Sequence, residues 1–437
     1  MLIFLKIVQI AIAVTLSVAA IYLRSPLLAS VRSWLLWVVV AIAFIFIVSE
    51  CLFLKKIQLK FPNLLSFFVL AVAAFSFTVT AVSEVNFQLT KSSVLNAEPS
   101  QLEKLGQHFI IGYRSRSEIE SLVKKNAIAG IFITRRNITN KTKAEIQQEI
   151  ASFQTIRRNS NLPPLFIATD QEGGIVSRLS PPLTKLPQLS QIVTENPQIE
   201  AQKPEVIAYA SQQARELAEL GINLNFAPVV DINKQIINPK DKYSLIYKRA
   251  ISADKNIVAQ VGLWYCQTLE SFNVKCTIKH FPGLGRVDTD THLNEAELTT
   301  TIAELSQDDW VPFQKIIENS QAFTMLGHAK LTAVDTQHPV SFSQAVINGI
   351  IRKDWQHNGV LITDDFSMWA VFGSQDGIKK ATIKSLNAGV DLILIAYDTD
   401  LYYPAMSALL KADTAGKLDN DLLAKSRQRL VSQLPKN

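Results

Sequence analysis

The stretch Val274-Lys-Cys-Thr-Ile-Lys-His-Phe-Pro-Gly-Leu-Gly-Arg-Val-Asp-Thr-Asp-Thr-His292 begins as a short apolar run and passes directly into a segment holding a lysine, two histidines and two aspartates. An apolar run of this length suits a buried strand, and Pro282, Gly283 and Gly285 keep a helix from starting behind it. Lys279 and His280 are therefore predicted at a strand end. Asp290 and His292 stand two apart, a spacing that lets a carboxylate hold one imidazole nitrogen while the other faces a substrate.

The same pattern recurs along the chain. Short apolar runs at 109–112, 130–134, 165–169, 223–228, 275–278, 322–326, 360–363 and 391–395 alternate with amphipathic stretches such as 143–158, 204–220, 255–272, 308–319 and 378–387. Eight strands alternating with helices predict an α/β fold, a (β/α)8 TIM-type barrel, for which about 250 residues is typical. A doubly wound open sheet is the alternative. The barrel is preferred because polar residues follow so many strands: Asp170, Asp231, Lys279 with His280, His328, and Asp364. A barrel gathers all of these at one mouth, whereas an open sheet gathers only a few at its switch point.

Composition changes sharply near residue 84. Apolar runs at 7–23, 34–53 and 64–82 each approach the ~17 to 25 residues that cross a bilayer as a helix, so residues 1–83 are read as a membrane anchor with three transmembrane helices. The first could instead be a signal peptide, although two further spans favour the anchor. Residues 84–100 read as a linker and 101–437 as the barrel domain. Lys6, Lys55, Lys56 and Lys60 flank one side of the spans and Arg24 with Arg32 the other. The excess of basic residues then places the N-terminus inside and the barrel on the outer, periplasmic or extracellular, face of the cytoplasmic membrane.

The net charge of +6 comes almost wholly from this anchor, where six basic side chains face only Glu50. A nucleic-acid partner is thereby excluded, and a lipid bilayer is the expected one. Cys51 lies in a span; Cys266 and Cys276 are read as buried free thiols.

Among the strand-end groups, Asp364 and Asp365 either face the mouth or cap the next helix. Asp170 and Arg178 flank the turn at Gly173-Gly174 and either bind a sugar's oxygens or pair with each other. No metal is expected at His280, Asp290, His292 or Asp364, because the ligand spacings are absent and Lys279 would repel a cation. A Schiff base at Lys279 is a further option, but it leaves Asp290 and His292 without a task.

Asp-Gln-Glu-Gly-Gly (170–174), Asn-Phe-Ala-Pro-Val-Val-Asp (225–231), Lys-His-Phe-Pro-Gly (279–283), Asp-Thr-His (290–292) and Thr-Asp-Asp-Phe-Ser-Met (363–368), in this order, resemble glycoside hydrolase family 3. The Asp-x-His element is similar to its β-N-acetylhexosaminidase branch. The resemblance runs from about Leu105 to Ala396. It implies Asp364 as nucleophile, His292 with Asp290 as general acid and base, and Asp170, Arg178, Lys279, His280 and Arg249 as sugar-binding residues, with no metal or organic cofactor. The implied substrate is a cell-wall or chitin-type glycan ending in β-linked N-acetylglucosamine. A sugar-binding sensor with weak turnover and a β-glucosidase-like specificity are the alternatives. Leu284, Ile175 and the segment 247–251 depart from the family pattern.

Overall fold

The structure, a computed structural model, describes residues 2–56, 60–193 and 198–435. The chain forms two compact units, Met1–Asn96 and Ala97–Asn437.

In the first unit, helices α1 (Leu2–Ile21), α2 (Arg32–Lys56) and α3 (Lys60–Leu95) are each long and apolar enough to cross a membrane. Their outward faces carry Phe4, Trp37, Phe44 and Phe67, which water would solvate poorly and hydrocarbon would not penalise. Small and branched side chains, Leu16, Ala20 and Val39, fill the inside. Ser17 and Ser76 share a 2.8 Å hydrogen bond there, and Lys6 donates to both oxygens of Glu50 at 2.5 and 2.6 Å. The predicted linker is mostly helix, because α3 continues to Leu95. Polar residues without proline or glycine extend a helix that is already nucleated at little cost. Glu84 also ties the extension back, pairing with Arg24 and accepting from Gln88 one turn on.

The second unit is a closed barrel. Its strands are β1 (Phe109–Ile111), β2 (Gly130–Phe132), β3 (Phe166–Thr169), β4 (Leu224–Asn225), β5 (Lys275–Phe281), β6 (Phe323–Leu326), β7 (Leu361–Asp365) and β8 (Leu392–Ile395). They run in the cyclic order β1-β8-β7-β6-β5-β4-β3-β2. Every pair is parallel, and Ile110 closes the ring by facing both Gly130 and Leu394. All eight predicted strands are present, and closure excludes the open-sheet alternative. Phe132 stacks on Phe226 and Phe166 meets Phe323 edge-on, each at 5.7 Å, so aromatic rings fill much of the core. Gly130 is required at its place: a Cβ there would lie 2.5 Å from the Phe166 carbonyl.

Two local expectations are corrected. Strand β5 continues through Phe281, so Lys279 and His280 are still within it. The cysteines are joined: Cys266, on the helix Lys255–Ser271, forms a disulfide with Cys276 on β5, with Cα atoms 5.3 Å apart. Two isolated cysteines carry no pairing signal in sequence; the helix reaches its strand only by packing back on the sheet.

Candidate active site

Three groups of side chains converge at the carboxyl ends of the strands. The first is a charge network around β3, β4 and β5. After Asp170 the chain turns into an antiparallel ribbon, Gln171–Gly173 with Val176–Ser177, in which alternate residues share a face. Lys279 lies between the two carboxylates so presented, 2.8 Å from Asp170 and 2.6 Å from Glu172. Arg249 clamps Glu172 with two hydrogen bonds of 2.9 and 2.7 Å, a fork matching a carboxylate, and its Nη2 lies 3.3 Å from His280 Nε2. Burial opposes charge on Glu172, but Arg249 and Lys279 outweigh it and hold the carboxyl well below its usual range. Burial likewise works against the Lys279 ammonium, and Asp170 and Glu172 reverse that, raising its pKa. A Schiff base needs a neutral amine, which this pairing disfavours.

His280 is oriented from behind. Buried Asp231 accepts from its Nδ1 at 2.7 Å, from its backbone amide at 3.1 Å and from the Leu284 amide at 2.7 Å. The departure at Leu284 thus contributes a backbone group and a buried side chain, and Ile175 stands exposed.

The second group is at the end of β7. Asp365 accepts from the amides of Ser367, Ala396 and Tyr397, each at 2.9 Å, which makes it a structural tie between loops. Asp364, one residue earlier, accepts, among the described residues, only the Asp365 amide, at 2.8 Å. Burial would raise its pKa, yet His280, His328 and His292 together lower it, so the group is held as a carboxylate. His328 is itself fixed, with Nδ1 2.8 Å from Ser341 Oγ.

The third group is the loop after β5. His292 Nδ1 lies 2.8 Å from Asp290 Oδ1. Asp290 also accepts from Ser244 Oγ at 3.1 Å and from the amides of Lys242, Tyr243 and His292. Burial is outweighed by His292 and these donors, and the Asp290 pKa falls to about 2. With Nδ1 occupied, half-buried His292 has Nε2 left to exchange a proton.

Asp170, Lys279, His280 and Arg249 thus share one network, while Asp364 feels His280 and His292 only through their electrostatic effect on its charge. Arg178 stands apart. Its side chain is exposed and makes no ion pair with Asp170, to which only its backbone amide is bonded, at 3.1 Å. Glu172 was missed as a site residue, although its place two residues after Asp170 on extended chain was the available signal. Asp231 and His328 were legible as strand-end residues but not as holders of other groups.

The sequence profile described as Glycosyl hydrolase family 3 N terminal domain matches residues 100–433. A beta-hexosaminidase of Neisseria meningitidis is 30% identical over 294 residues, covering 67% of this chain and 78% of that protein. Beta-hexosaminidase A of Pseudoalteromonas piscicida is 28% identical over 337 residues, covering 72% of this chain and 54% of that one. Among solved structures, a glycoside hydrolase family 3 beta-N-acetylglucosaminidase from Paenibacillus sp. superposes with a TM-score of 0.69 at 28% identity, covering 76% of this chain and 61% of its own. This chain therefore spans about half to three quarters of these relatives' lengths.

Proposed function

We propose, for a chain that belongs to glycosyl hydrolase family 3 and sides with its β-N-acetylhexosaminidase branch, a retaining exo-hydrolase that removes terminal β-linked N-acetylglucosamine from cell-wall or chitin-type glycans. The observation that supports this reading is a carboxylate, Asp364, that accepts one backbone hydrogen bond among the described residues, and whose charge is favoured by His292, an imidazole held at Nδ1 by Asp290.

In the first step a carboxylate oxygen of Asp364 bonds to the anomeric carbon. The bond to the leaving oxygen breaks, and that oxygen takes a proton from His292 Nε2. In the second step His292 removes a proton from water, whose oxygen displaces Asp364. Asp290 keeps the imidazole in the useful tautomer and stabilises its cation. Lys279, Asp170, Arg249 and His280 would grip the sugar's hydroxyls and acetamido group, and Arg178 would reach the same sugar from the ribbon.

The test separates the two roles. His292→Ala should lose little activity on a nitrophenyl glycoside in forming the covalent intermediate, since a good leaving group needs no acid, and should then accumulate it. Azide should restore turnover. If azide has no effect and no sugar is ever found on Asp364, assistance by the substrate's own acetamido group becomes the better mechanism.

The three apolar helices serve in this reading as an anchor in the cytoplasmic membrane, with the barrel outside. The Cys266–Cys276 disulfide supports that side, because such bonds persist in oxidising compartments. A reporter fused after Asn437 that works only when exported should be active; activity of a cytoplasm-only reporter would reverse the topology.

A further inference from the structure

Large exposed aromatic side chains are unevenly spread over the barrel unit. Among its described residues they are Tyr243, Trp369 and Tyr397, at 57, 36 and 45% exposure; Tyr243 and Tyr397 lie in loops that follow strands, and Trp369 opens the short helix Trp369–Phe372 after β7. Two of them adjoin His292, Tyr243 by its ring and Trp369 by its backbone. The Tyr243 ring is 5.5 Å from the imidazole, and its amide is bonded to Asp290. The Trp369 amide donates to the His292 carbonyl at 3.1 Å. Tyr397 belongs elsewhere, with Arg114 over its ring and its amide tied to Asp365.

Neither ring fills the core, and each is held by its surroundings. The Trp369 indole lies against the backbone at Gly373, where a Cβ would come within 2.4 Å of the ring. Gly373 has φ −82°, which any residue adopts, so only the indole's position calls for glycine there. The Tyr243 segment is anchored by Asp290, which accepts its amide along with that of Lys242.

We propose that Tyr243 and Trp369 form the platform for the leaving group, recognising a second sugar ring by its apolar face. The inference rests on the hydrolase reading, in which His292 protonates the leaving oxygen, so whatever is attached to that oxygen must lie beside the imidazole. A pyranose presents axial C–H bonds on one face, and these carry slight positive charge. The face of an aromatic ring is negative and poorly hydrated, and a ring already fixed in place loses little entropy when it is covered. The substrate class is therefore a glycan whose second residue is itself a sugar, ahead of simple alkyl glycosides.

The experiment compares two substrates that both need protonation but differ in having a ring to stack: the β-1,4 disaccharide of N-acetylglucosamine and methyl N-acetyl-β-glucosaminide. With the full-length protein, kcat/KM is measured on each. Trp369→Ala and Tyr243→Ala should each lower the disaccharide-to-methyl ratio roughly three- to tenfold. Tyr243→Phe and Trp369→Phe should retain most of the ratio, and Gly373→Ala should shift it in the same direction as Trp369→Ala by displacing the indole. A parallel fall on both substrates would mean that the rings only support His292, and would overturn the proposal. An unchanged ratio would overturn it too. If the wild-type protein cleaves neither substrate nor the nitrophenyl glycoside, the hydrolase reading itself fails, and the platform with it.

Discussion

The two ends of the barrel both hold an aspartate beside a strand, and they treat it in opposite ways. At the amino-terminal end Asp391 accepts from Arg352 at 2.8 Å, from Arg429 at 2.9 Å and from the Leu361 amide at 2.8 Å, so each of its oxygens is engaged. At the carboxyl end Asp364 has one backbone donor, and the remaining compensation comes from imidazoles acting through space. A charge with a full set of partners holds the fold, because water and protein are both satisfied. One that is ionised but short of partners keeps lone pairs for a substrate. Asp365, next to Asp364 and tied by three amides, repeats the contrast at the end of a single strand.

Exchanging the two ends is the most direct way to break this comparison. Asp364→Asn should lower kcat on the order of 10³-fold or more for every leaving group, with only a small fall in melting temperature, since the favoured charge is lost but no hydrogen-bond network is. Asp391→Ala should do the reverse. Two guanidiniums and an amide lose their acceptor, at a cost of about 3–5 kcal/mol, while the fraction that remains folded turns over normally. Activity normalised to folded protein, together with thermal melts, decides between them. A stability loss in Asp364→Asn equal to that in Asp391→Ala would erase the distinction.

A smaller effect sharpens the comparison within the mouth. Asp290 is well supplied with donors yet also serves His292, so Asp290→Asn should reduce kcat more than it raises KM. Its pKa is depressed to about 2 in the folded chain, against about 3.9 when unfolded. The stability it contributes is therefore fully present above about pH 4 and is lost as pH falls towards 2. The melting-temperature gap between wild type and Asp290→Asn should close over that window and be constant above it.

The smallest change is expected from Arg178→Ala. With no ion pair to Asp170, its removal should leave the melting temperature alone and raise KM a few-fold at constant kcat. A lower melting temperature would show that it holds the ribbon, and unchanged kinetics would remove it from the site.

The barrel's elements and most of its mouth were legible in the chain. The strands are apolar runs, five of the eight followed by a polar or charged residue, and the helices between them carry a 3.6-residue period; both signals are local. That is why Asp170, Asp231, Lys279, His280, His328 and Asp364 could be placed at one opening from their positions alone. The family resemblance added roles for Asp364, His292 and Asp290, which spacing left open. The extension of α3 to Leu95 was not legible, since polar residues along 84–95 lack the apolar period that marks a packed helix, and their support comes from Arg24, sixty residues away from Glu84.

The order and kind of the elements, and the residues that leave the strands at their carboxyl ends, are set by patterns a few residues long and can be read along the chain. Tertiary structure alone decided partnership: that the eighth strand closes on the first, that Lys279 is shared by Asp170 and Glu172 while Arg178 is left aside, that Cys266 meets Cys276, and that Asp364 rather than Asp365 is left short of donors. Such outcomes depend on where distant segments come to rest, and a hydrogen bond or an ion pair depends on separations that only the closed barrel sets.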